Sequence, residues 1–142
     1  TVRQVDSIAG DEYYQLYAKY IEQRHESGDM YPPTPEQYEQ FLVREAPFCQ
    51  FTEFRLDGKL VCISVCDDIP DSYSAIYTFF DPDHANRSLG NFAVLWLIQA
   101  CKRNNRHYLY LGYWIRDCRK MAYKIEYRPI ELLLNGRWQT LR

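Results

Sequence analysis

One hundred and forty-two residues that are 46% hydrophobic, 25% charged and 16% aromatic are enough for one folded domain with a core, which excludes a disordered or fibrous chain. The formal net charge of −2 excludes a protein that coats nucleic acid by bulk electrostatics, so phosphate contacts must be local. The longest apolar run, Phe92 to Ile98, is cut by Gln99 and then Lys102-Arg103, short of the roughly 18 residues a membrane span requires, so no membrane segment is expected.

The sequence opens at Thr1 without a basic, apolar, small-residue leader, which suggests a cytoplasmic protein with no secretory signal, and either a processed chain or a fragment. Cysteines at 49, 62, 66, 101 and 118 form no C-x-x-C pair and no metal spacing with histidine. Reduced, mostly buried thiols are therefore expected, with no metal and no cofactor.

From Asp11 to His25, Tyr13, Leu16, Tyr17, Tyr20 and Ile21 follow the spacing of one helix face, and Gly28 ends that helix. Thr34-Pro35-Glu36-Gln37 supplies a capping hydroxyl, a proline at the first helical position and a glutamine three residues after the cap, with Tyr38, Phe41 and Leu42 as the buried face. After Pro47 the period becomes two. Asp57-Gly58 marks a tight hairpin, and the return strand Leu60 to Cys66 sets Cys62, Ser64 and Cys66 on one face against Val61, Ile63 and Val65. A turn at 67–72 leads to a third strand, Ser74 to Phe80, which stops at Asp81-Pro82-Asp83.

Leu89 to Cys101 is apolar nearly all round and predicts a central buried helix, with Lys102 to Arg106 suiting the negative end of its dipole. His107 to Gly112 reads as a short strand. Ile115, Cys118, Met121, Ala122 and Ile125 then predict a helix whose basic outer face holds Arg116, Arg119, Lys120 and Lys124. Pro129 ends it, and Leu132-Leu133-Leu134, Asn135-Gly136 and Trp138 form a last hairpin.

This order predicts a single α+β domain over residues 1–142, a mixed, mostly antiparallel sheet flanked by helices. It resembles the GNAT acetyltransferase fold, in which a strand leads into a helix whose N-terminus holds the phosphates of an acyl carrier.

The motifs are more specific. Phe80-Asp81-Pro82-Asp83, Arg87-Ser88-Leu89-Gly90, Tyr110-Leu111-Gly112-Tyr113-Trp114-Ile115, Cys118, Lys120-Met121, Tyr123-Lys124 and Tyr127-Arg128-Pro129 closely resemble the C-terminal catalytic domain of the arginyl-tRNA-protein transferases, and within them the bacterial aspartate/glutamate leucyltransferases. Members of that family carry a further N-terminal cysteine-rich domain, so the chain resembles an excised catalytic domain. The resemblance implies transfer of an amino acid, leucine favoured and arginine the alternative, from aminoacyl-tRNA to a protein beginning with Asp or Glu, which creates a degradation signal. A same-fold acetyl-CoA enzyme and a noncatalytic module for acidic N-termini are the other readings. The single glycine of Arg87-Ser88-Leu89-Gly90-Asn91-Phe92 serves a CoA pyrophosphate poorly.

An activated ester donor requires placement of an amine, removal of a proton and stabilisation of an oxyanion, but no covalent nucleophile. Arg87, Ser88, Leu89 and Gly90 lie at a strand-to-helix turn suited to a phosphate or the terminal adenosine of the tRNA; a plain serine cap with a close-packed glycine is the structural alternative. Lys120, Lys124 and Arg128 are candidates for phosphates or the acidic acceptor, against a solvated basic face. Tyr123 is a candidate donor to the oxyanion, against a core role. Asp81 is the candidate base, with Asp83, Asp67 and His84 behind it, and an aspartate before proline is equally a turn former. Cys118 falls on the apolar stripe and reads as core. Oligomeric state is not legible.

Overall fold

A computed structural model describes residues Thr1–Arg142, apart from the side chain of Arg119. The chain resolves into two compact units, Thr1–Tyr110 and Leu111–Arg142.

In the first unit, β1 (Val2–Val5), α1 (Asp11–Arg24), α2 (Pro35–Leu42), β2 (Cys49–Leu56), β3 (Lys59–Ile69), β4 (Ser72–Phe80), a 3₁₀ turn (Pro82–Arg87), α3 (Leu89–Arg103) and β5 (Tyr108–Tyr110) follow in order. The five strands lie in the order β1-β2-β3-β4-β5. All neighbours are antiparallel except β4 and β5, which α3 connects and which therefore run parallel.

Local chemistry sets the boundaries. Thr34 Oγ1 accepts from Gln37 N at 3.2 Å and Pro35 opens α2, as its cap sequence predicts. Asp57 and Gly58 both take positive φ, the geometry a two-residue hairpin needs. The strand β3 runs on to Ile69, and the second turn is only Pro70-Asp71.

Layers form on both sheet faces. Leu16, Tyr17, Tyr20 and Ile21 of α1 and Tyr38 and Leu42 of α2 pack on Phe51, Ile63, Val65 and Phe79. On the other face Leu89 and Ala93 of α3 cover Phe54, Val61 and Cys62, while Leu97, Ala100 and Cys101 cover Cys66 and Tyr73. Cys62, Cys66 and Cys101 are buried free thiols, and burial pushes Cys66 up to about 12. Among the described residues no group of His, Cys, Asp and Glu is placed to hold a metal, and no helix is long and apolar enough to cross a membrane.

Several expectations change. The strand β1 is an edge strand that the sequence reading did not include. The register slips between Phe54 and Arg55, so Val61 is an extra residue that packs with Cys62 and not with Ile63 and Val65. The outer face of α3 is open, with Phe92 and Leu95 about half exposed, so that helix is not buried all round. Phe41 is likewise exposed, not buried.

The second unit holds α4 (Arg119–Ala122), a 3₁₀ turn (Tyr123–Glu126), β6 (Ile130–Leu134) and β7 (Arg137–Leu141). The last two pair as the predicted hairpin around Asn135-Gly136, both at positive φ. The helix expected from Ile115 to Ile125 is only the single α-turn of α4 followed by 3₁₀ geometry. Cys118 sits at its N-cap, half-buried and without a capping side-chain bond, so it is not on an interior helix stripe. The basic face expected at Arg119 lies outside the described side chains.

Candidate functional site

The end of β4 is built around one carboxylate. Asp81 is 1% exposed. Its Oδ1 accepts from Lys19 Nζ of α1 at 2.6 Å and from the Asp83 backbone N–H at 3.1 Å, and its Oδ2 accepts from Lys59 Nζ of β3 at 2.7 Å. His84 Nδ1 approaches Oδ2 at 3.4 Å. Burial alone pushes this carboxyl up, but the two ammonium groups and the N–H outweigh it and hold Asp81 well below the carboxylate range. A carboxylate with so low a proton affinity and both oxygens occupied is an anchor for the turn and a poor general base. Asp83 shares Lys19 at 2.6 Å.

Beyond this anchor the 3₁₀ turn delivers Ser88 in the left-handed region, φ 50° and ψ 46°. Its side chain makes no capping bond, so it is not an ordinary cap. The first backbone N–H groups of α3 have no partner in their own helix. Leu89 is 7% exposed and packs beneath α3, which leaves only its backbone for a ligand. At Gly90 a Cβ would stand 3.4 Å from Phe80 Cε1, at van der Waals distance, so a longer side chain would run into the Phe80 ring. Arg87 is exposed and forms no ion pair with any described residue.

Sequence reasoning did not include the adjoining sheet edge. The strands β4 and β5 pair only over Ser72↔Tyr108, Tyr73↔Leu109 and Ser74↔Tyr110. Just beyond, Val65 faces Tyr77 while Cys66 faces Ala75, so Ile76 is an extra residue in β4. From Ala75 to Phe80 the edge of β4 has no described strand beside it on the β5 side, and it ends at the Asp81 anchor. Neither glycine nor proline occurs in Ser74 to Phe80 to signal the bulge.

In the second unit Lys124 is turned inward. Its Nζ donates to Leu111 O and Tyr113 O, each at 2.7 Å, and sits 3.9 Å from where a Cβ on Gly112 would lie. Partial burial pushes its ammonium down. Lys124 thus clamps the 111–113 loop, and it does not share an α-helical face with Lys120, because α4 stops at Ala122. Lys120 and Arg128 have exposed side chains. Tyr123 lies in the 3₁₀ turn with its ring edge-on to Tyr127, centroids 6.2 Å apart, and burial pushes its hydroxyl up, which keeps it a proton-bearing donor.

Comparison with known proteins settles the lineage. The profile of the family described as "Arginine-tRNA-protein transferase, C terminus" matches residues 12–134. The chain belongs to this family. It is 55% identical over 141 residues to an aspartate/glutamate leucyltransferase of Pseudomonas entomophila, covering 99% of this chain and 60% of that protein. It is 57% identical over 131 residues to the enzyme of the same name from Pseudomonas putida KT2440, covering 92% and 56%. The chain thus spans well under two thirds of the curated relatives it matches. Among solved structures, a ribosomal-protein-alanine N-acetyltransferase from Brucella melitensis superposes with a TM-score of 0.64 at 15% identity, over 100% of this chain and 97% of that one. An acetyltransferase of the GNAT family from Staphylococcus aureus gives 0.58 at 16%, over 93% and 86%. At such identities the family member shares the GNAT fold, and nothing more is carried over.

Proposed function

We propose that the protein transfers an amino acid from aminoacyl-tRNA to the N-terminal amine of a protein that begins with Asp or Glu, with leucine as the donated residue. The match of the transferase family over residues 12–134 carries this reading, and the names of the leucyltransferase relatives favour leucine over arginine. Residues 1–142 serve as one catalytic domain, and the reaction belongs in the cytoplasm, where charged tRNA and degradation signals meet.

The donor ester is already activated, so the chain has to hold it, orient the amine and steady the oxyanion. Arg87 and the first N–H groups of α3 take an anionic part of the donor, behind a turn fixed in place by the Asp81 anchor. The unpaired edge of β4 beyond Ser74 offers backbone donors beside it. Lys120 and Arg128 are the exposed cations for the acidic acceptor. Tyr123 is the hydroxyl available to the reacting carbonyl.

The test is to incubate full-length protein with leucyl-tRNA or arginyl-tRNA and peptides starting with Asp, Glu or Asn, and to weigh the products. Leucine on the Asp and Glu peptides supports the reading. No adduct from either tRNA overturns it, and arginine alone overturns the choice of donor.

A further inference from the structure

Strands β1 and β2 and the C-terminal half of α3 enclose a cleft of about 360 Å³ that none of the candidate residues line. This lies at the lower end of the roughly 300–1,000 Å³ of small-ligand sites. Its floor is buried Thr52, Cys66 and Leu97. The only ionised side chains among the described residues lining it are Arg3 and Arg103, although the chain as a whole carries −2.

The two arginines differ. Arg3 is spent on buried Glu53. The Arg103 guanidinium lies 4.5 Å from the centre of the Trp96 ring and pairs with no described carboxylate. A guanidinium stacked on an indole keeps its outer face and its edge donors, which suit a flat base and an anionic group.

The opposite rim has a fixed polarity. Asp68 is a carboxylate and only accepts, so the 3.1 Å contact to it fixes the Gln50 amide with its NH₂ toward Asp68. Gln50 Oε1 then faces Gln4 and must receive the Gln4 NH₂, at 3.0 Å. This chain leaves Gln4 Oε1 as an acceptor with no described hydrogen bond. A second amide is fixed nearby by donation from Asn104 Nδ2 to the Tyr73 hydroxyl at 2.8 Å. The cleft therefore joins a stacked cation to an acceptor across a floor of Thr52, Cys66 and Leu97.

We propose that this cleft binds a single nucleotide whose base carries an exocyclic amine, adenine or cytosine, with the amine donating to Gln4 Oε1, the base against Arg103 and the phosphate at the guanidinium edge. The proposed function supplies the source, because every tRNA ends in single-stranded CCA, and all three bases have that amine; the inference rests on that reading for the source alone. A nucleoside monophosphate is a separate source of the same chemistry.

The test is calorimetry on full-length protein with CMP, AMP, UMP and inorganic phosphate. CMP and AMP should bind at least tenfold more tightly than UMP, whose base presents a carbonyl where cytosine presents the amine. Arg103→Ala should weaken CMP about tenfold, and Gln4→Met should bring CMP and UMP together. Both side chains are exposed, so both variants should fold. Phosphate binding as tightly as CMP, equal binding of CMP and UMP, or indifference to Arg103→Ala overturns the proposal. In the transferase assay Gln4→Met should raise the KM for aminoacyl-tRNA with kcat unchanged. An unmoved KM in an active enzyme overturns the tRNA as the source and leaves the free mononucleotide, whereas CMP binding without transfer from any tRNA overturns the proposed function and leaves the site.

Discussion

Lys19 and Asp81, 62 residues apart, meet at 2.6 Å, and through that contact α1 holds the end of β4 from which the candidate donor turn departs. Removing the charge leaves the partly exposed Lys19 and the exposed Lys59 to water and places a neutral amide in a site built for a carboxylate. Asp81→Asn should cost about 1–3 kcal/mol in urea unfolding. If Asp81 were the general base, the variant would lose the alkaline-side activity while keeping its melting temperature; the expected result is the reverse, a lowered melting temperature and an unchanged pH profile for the activity that remains.

Glu53 is fully buried and accepts from Arg55 Nε at 2.9 Å and from the Tyr13 hydroxyl at 2.9 Å, and it is also paired with Arg3. The Arg55 guanidinium, ahead of Arg3 and Tyr13 and against the effect of burial, holds it down to about 2 from the usual 4.5. A depressed carboxylate stabilises the fold above its unfolded pKa and loses that contribution as pH falls through the folded one. The contribution, about 3 kcal/mol, should therefore fade between pH 4.5 and 2, and Glu53→Gln should flatten the acid limb of stability measured by denaturant titration.

At the donor turn the glycine and the arginine should separate. Arg87→Ala removes an exposed side chain and should raise the KM for aminoacyl-tRNA with no change in melting temperature. Gly90→Leu drives a side chain into Phe80, whose ring already packs on Tyr20 at 5.0 Å and under Arg24 at 5.2 Å. It should cost about 1–3 kcal/mol. A Gly90→Leu protein as stable as the parent would contradict the clash with that ring.

Acceptor choice should depend on Lys120 and Arg128. Alanine at the residue that meets the acidic side chain should narrow the preference for Asp over Asn peptides, read as the ratio of kcat/KM. Lys124→Ala frees two loop carbonyls instead, and should depress both acceptors alike. A selective loss with Lys124→Ala would show that its ammonium leaves the loop to meet substrate.

The helices α1 and α2 were legible because each carries its own signals, the i, i+3, i+4 face of Leu16, Tyr17, Tyr20 and Ile21 and the Thr34-Pro35 start. The tight turns Asp57-Gly58 and Asn135-Gly136 were legible for the same reason. The edge strand Val2–Val5 was not, since four residues with two valines carry little period and their pairing with Phe51–Phe54 is long-range. Helical spacing at Ile115, Cys118, Met121 and Ala122 misled, because the backbone is still extended at Cys118 and the α-turn begins only at Arg119. The candidate turn Arg87-Ser88-Leu89-Gly90 stood out as a string. The burial and ion pairs that make Asp81 an anchor did not, because Lys19 and Lys59 arrive from separate elements.

The extra residue Ile76 makes the candidate site sensitive to insertion and deletion more than to substitution. The notch beside β4 is made by backbone, so exchanging the side chain at 76 leaves its geometry in place. Deleting that one residue would let β4 pair straight along β3, with Tyr77 still opposite Val65 and Phe79 still opposite Ile63, and would remove the local bend at which β4 parts from β5. Lineages of this fold should therefore drift freely in the identity of the bulged residue while keeping its count.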